Sequence, residues 1–91
     1  MPSLLELVRR KLEAALAPTF LEIEDESALH AGHAGARGGA GHLRVVVASG
    51  KFEGLSHLDR HRLVYDILRE EMRGKIHALA LQALGPDEMR R

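Results

Sequence analysis

The sequence predicts an α+β domain in which helices cover one face of a three-stranded mixed sheet, in the order α-β-β-α-β-(α). Three observations carry this. Apolar residues recur at helical spacing from Leu4 to Leu16 and again from Leu63 to Met72. Three short segments instead read as strands, by alternation or by β-branched content. A chain of 91 residues has room for one core, so residues 1–91 form a single domain.

Each element follows in order. Ser3 and Glu6 make a capping box ahead of Leu4, Leu5, Val8, Leu12, Ala15 and Leu16, and Pro18 stops that helix. From Thr19 to Glu24, Leu21 and Ile23 alternate with Glu22 and Glu24, the pattern of a half-buried strand. Residues 31–41 hold five glycines and four alanines, with almost nothing to bury, and are expected to be a mobile loop. His42 to Ser49 is apolar and β-branched at its centre and pairs most simply as an antiparallel hairpin with the first strand. Ser56 and Asp59 form a second capping box, opening the main helix through Leu63, Val64, Ile67, Leu68 and Met72 to Gly74. Ile76 to Ala83 is a third strand, parallel to the second because a helix intervenes, with the usual right-handed crossover. Gly85, Pro86, Asp87 and Glu88 suit a last helical turn.

Composition narrows the function. Thirteen basic residues balance thirteen acidic ones, so no global field draws the chain to a polyanion. No apolar run approaches bilayer length, and the amino-terminal helix, with Glu6 and Glu13 among its basic residues, lacks a leader pattern. A cytoplasmic protein without membrane contact is expected. There is no cysteine, and no serine stands in a nucleophile elbow or triad order, so an enzyme is not expected.

Histidine is the residue with chemistry to offer. His30, His33 and His42 fall in or beside the glycine-rich run, and the two-residue gap between His30 and His33 is that of many chelating pairs. Histidines in such a run are more often solvated than bound. Alternation places His77 with Leu79 and Leu81, where a buried, hydrogen-bonded histidine is the plain reading. His57 and His61 lie in the first turns of the main helix and are explained by a solvated face. Arg60 and Arg62, with Lys75, are the candidate phosphate contacts. Against them, residues 51–75 carry six basic and five acidic side chains, which makes no stripe.

Six segments in order then match a family: "LEIEDES" (21–27), a histidine three residues after Ser27, "HLRVVV" (42–47), "FEGLS" (52–56), "RHRLVYDIL" (60–68) and "IHALALQA" (76–83). Together they span nearly the whole chain, and the sequence closely resembles the BolA family. The resemblance implies a BolA fold, similar to the type II KH domain. It implies a monothiol glutaredoxin as partner, with a two-iron, two-sulfur (2Fe-2S) cluster shared between glutaredoxin, glutathione and this chain, and no cofactor in the isolated protein. A chain without thiols can give histidine to one iron, as Rieske proteins do. By position, the carboxy-proximal ligand falls on His77 and the loop ligand on His30, the loop-histidine subtype, with His33 the alternative to His30. Leu43 stands where many members carry phenylalanine, and His42 is expected to position the strand end rather than ligate.

The leading expectation is a non-enzymatic glutaredoxin partner in iron-sulfur cluster assembly, trafficking or iron sensing, monomeric or weakly dimeric alone. The alternative is a DNA-binding transcriptional regulator of stress or morphology using the KH-like face, with Arg60, Arg62 and Lys75 on phosphates. Charge balance and the lack of a clear GxxG loop make DNA binding weak. A third reading is a zinc or nickel buffer built from the loop histidines.

Overall fold

The computed structural model describes residues 2–26 and 41–89. Helix α1 (Leu4–Leu16) begins at the predicted capping box, closed in both directions: Ser3 N donates to Glu6 Oε1 at 3.1 Å and Glu6 N to Ser3 Oγ at 3.2 Å. It ends at Ala17, in the left-handed region at φ 44°, immediately before Pro18. Strand β1 (Phe20–Asp25) pairs antiparallel with β2 (Gly41–Ala48), and β2 pairs parallel with β3 (Ile76–Leu84), giving the order β1-β2-β3. The mixed three-stranded sheet and its connectivity are therefore as predicted.

The core lies between the helices and one sheet face. Val8, Leu12 and Leu16 of α1 meet Leu43, Val45 and Val47 of β2, all nearly or fully buried. Leu21 and Ile23 stand opposite Val47 and Val45, so the apolar half of the first strand joins that face as its alternation requires. A 3₁₀ turn at Gly50–Phe52, outside every element the sequence predicts, drives the fully buried Phe52 into this core.

The main helix differs from the expectation in one respect. It is two helices, α2 (His57–Ile67) and α3 (Arg69–Met72), divided at Leu68, whose φ −98° and ψ 17° depart from helical values. Leu68 remains fully buried beyond Val64, so the apolar spacing runs across the break and leaves no mark on the sequence. Lys11 ties α3 to α1 through Glu70 at 3.1 Å and the buried Glu71 at 2.9 Å. The carboxy-terminal turn, Pro86–Met89, is 3₁₀. No helix among the described residues is long and apolar enough to cross a membrane.

Candidate metal-ligating site

The site is made by an irregularity where β2 and β3 begin. Gly41 stands opposite Ile76, and His42 opposite Ala78; β2 advances by one residue while β3 advances by two, leaving His77 as the extra residue. Such a bulge re-aims a side chain and interrupts strict alternation. Ile76 stays buried on the core side, and Leu79 and Leu81 stand opposite Leu43 and Val45. His77 is exposed. The buried, hydrogen-bonded histidine expected from alternation with Leu79 and Leu81 is thus corrected: counting by twos fails where a residue is inserted.

His42 opens the regular part of β2 and is half-buried, on the face shared with Arg44 and Val46 and opposite the core. Its carbonyl accepts from Glu26 N at 2.7 Å, while Gly41 N donates to Lys75 O at 2.8 Å, so hydrogen bonds hold the backbone around both histidines. The imidazole rings of His42 and His77 lie 5.2 Å apart, centroid to centroid, at an interplanar angle of 40°. His42 is the second residue of β2, and its ring faces the family-like ligand position.

His30 and His33 lie outside the described residues, as do the expected loop and the end of the "LEIEDES" segment. Among the described residues no three of His, Cys, Asp and Glu converge on a point. His57 is exposed and His61 half-buried at the start of α2.

The three candidate phosphate contacts do not share one surface. Arg62 and Lys75 are exposed, with Arg62 3.8 Å from Asp59. Arg60 is 6% exposed, and its guanidinium is consumed internally. Nε donates to Leu55 O at 3.0 Å, and Nη1 to Ala83 O at 3.1 Å and Glu88 Oε1 at 2.6 Å. Arg60 as a phosphate ligand is therefore corrected; helical residues two apart point to different sides, and Arg60 shares its stripe with Val64 and Ile67. That i, i+4, i+7 relation was legible in the sequence. The exposed side running from α2 into α3 is also nearly neutral, since Arg62 sits beside Asp59, and Arg69 of α3 lies beside Asp66 at 3.4 Å.

The Arg60 clamp has a pH signature. The Arg60 hydrogen bonds, and then the Gly85 N–H, hold the Glu88 carboxyl down from 4.5 to about 2. A depressed folded-state pKa contributes stability that is complete above the unfolded value and is lost as pH falls through the folded one. Melting temperature should therefore fall between pH 4.5 and about 2, in part through Glu88. Glu88→Gln should lower it at pH 7 and flatten that acid limb. Arg60→Ala, which also strips the Leu55 and Ala83 carbonyls of their donor, should cost about 2–3 kcal/mol at neutral pH in urea unfolding. An unchanged acid limb in Glu88→Gln would show that the pair does not couple to folding.

Comparison with known proteins agrees with this fold. The sequence pattern defining the BolA-like protein family matches residues 12–88. The chain is 51% identical over 83 residues to BolA-like protein 1 of Mus musculus, covering 91% of this chain and 58% of that protein. It thus spans little more than half the length of that relative. It is 36% identical over 86 residues to the DNA-binding transcriptional regulator BolA of Haemophilus influenzae, covering 94% of this chain and 81% of the relative. Its fold matches the solved BolA domain of SufE1 from Arabidopsis thaliana with a TM-score of 0.84 at 41% identity, over 97% of this chain and 98% of that one. With the α-β-β-α-β order, the mixed sheet and the "IHALALQA" strand all in place, the chain belongs to the BolA family.

Proposed function

We propose that this chain is a non-enzymatic partner of a monothiol glutaredoxin, giving His77 as a nitrogen ligand to a shared 2Fe-2S cluster in iron-sulfur assembly, trafficking or iron sensing. The observation that carries it is the bulge: a backbone insertion brings an exposed imidazole to the head of β3, where the family resemblance locates a ligand. The donor chemistry fits, since imidazole suits iron. With no cysteine in the sequence, the chain supplies nitrogen and the thiolates come from glutaredoxin and glutathione. The cluster is cargo or signal in this reading. The kinship with BolA-like protein 1 and with a BolA domain of SufE1 is consistent with a role in iron-sulfur biology.

The test mixes the full chain with a monothiol glutaredoxin, glutathione, iron and sulfide. A stable complex should form whose visible circular dichroism differs from that of the glutaredoxin cluster alone. Co-elution failing and a spectrum identical to glutaredoxin alone would sink the reading.

The second ligand is assigned to His30, with His33 the alternative. The two differ by three residues in a glycine- and alanine-rich sequence, so the closure entropy separating them is well under about 1 kcal/mol. His30→Ala should alter the cluster spectrum more than His33→Ala, and the double change more than either. The reverse order would shift the loop ligand to His33.

A second reading is favoured by the kinship with a DNA-binding regulator at 36% identity. The neutral charge balance and the internal use of Arg60 speak against strong binding. DNA affinity of the isolated chain should be weak at physiological salt, with a shallow salt dependence because few phosphates are contacted. A sequence-specific gel shift that survives competitor DNA would put the regulator reading first.

A further inference from the structure

We infer that His42 and His77 together form a two-imidazole site for a single divalent transition ion of the zinc class, a site that needs neither the glutaredoxin nor residues 27–40. The rings are 5.2 Å apart at 40°, an arrangement that is neither parallel stacking nor edge-to-face. The centroid separation is that of two rings sharing an ion. With zinc–nitrogen bonds of about 2.0 Å and each ring centre roughly 1.1 Å beyond its nitrogen, two imidazoles at a tetrahedral angle have centroids about 5 Å apart. Each histidine ligates through one nitrogen and keeps the other for a hydrogen bond, so ligation is compatible with other ring contacts.

The strands hold the pair in advance. Gly41 N bonds Lys75 O at 2.8 Å and Glu26 N bonds His42 O at 2.7 Å, so hydrogen bonds restrain the backbone beside both residues before any ion arrives. No third His, Cys, Asp or Glu converges among the described residues, so the chain gives two donors, fewer than the three of a catalytic zinc site or the four of a structural one, and the remaining positions fall to water or to a donor from a second molecule. The other spaced pair, His57 and His61 at i and i+4, begins α2, where the positive end of the helix dipole opposes a cation. The inference goes beyond the cluster reading and stands without it. If both hold, an ion on His77 withholds that nitrogen from iron.

The experiment titrates Zn²⁺ into the isolated full chain, followed by imidazole nitrogen–proton correlation spectra and by competition with a chromophoric chelator. One equivalent should bind and shift the ring signals of His42 and His77. His42→Ala and His77→Ala should each weaken binding by about tenfold or more, a loss at least as large as that from removing outer-shell partners. The double variants His30→Ala/His33→Ala and His57→Ala/His61→Ala should keep the wild-type affinity. Full affinity in His42→Ala, loss of binding in either double variant, or no saturable binding would overturn the site. Because glutaredoxin is absent, none of these outcomes bears on the cluster reading, and failure of the mixed complex leaves this site untouched.

Discussion

Replacing Phe52 by alanine should lower the unfolding free energy by about 3–5 kcal/mol, the largest stability loss expected of the single changes considered. Phe52 is fully buried in a cluster formed by α1, β2 and α2. Its backbone is held as firmly: Phe52 N donates to Ser49 O at 3.1 Å and Leu55 N to Phe52 O at 3.0 Å. Ser49, itself fully buried, donates from Oγ to Leu16 O at 2.6 Å and accepts from Lys51 N. A turn anchored at both ends cannot collapse into the void, so the cavity persists and its cost adds to the lost transfer energy. Since domains of this kind are stable by only about 5–15 kcal/mol, a sizeable fraction of the margin goes. Urea unfolding of Phe52→Ala beside Phe52→Leu measures it, with Leu expected to lose about 1.5 kcal/mol or less because most of the volume is kept. A loss below about 1 kcal/mol in the alanine variant would mean that the turn relaxes around the gap.

The largest functional effect is expected at His77. Its exposed ring makes little burial contribution, so His77→Ala should unfold within about 0.5 kcal/mol of wild type. On the proposed reading, the same variant should still meet the glutaredoxin yet change the visible circular dichroism of the shared cluster, because one iron loses a nitrogen donor. His77→Ala with an unchanged cluster spectrum would remove the residue from the site. A variant that unfolds would instead show that the bulge depends on the imidazole, contrary to its exposure.

Much of this protein was legible as sequence because the signals are local. Capping at Ser3, the stop at Pro18, the alternation of Leu21 and Ile23 with glutamates, and the β-branched centre of β2 each depend on neighbours within a turn or a pleat. The parallel placement of β3 followed from the intervening helix. Six ordered segments were sufficient to mark the family, which residues 12–88 bear out. By itself, then, the sequence determined the α+β class, the strand order, and which residue types could ligate a metal.

What the tertiary structure decided lies where two distant segments meet. A parallel bulge is a mismatch between two strands, so neither "GHLRVV" nor "KIHALA" alone records it; only their register sends His77 outward and sets its ring against His42. Arg60 likewise reads as one more cation in "RHR" until Ala83 and Glu88, 23 and 28 residues on, close around it. The break at Leu68 leaves the apolar spacing intact. Periodicity reports how each element presents itself to a core; which side chains then meet depends on register and on long-range pairing, to which a one-dimensional pattern is blind.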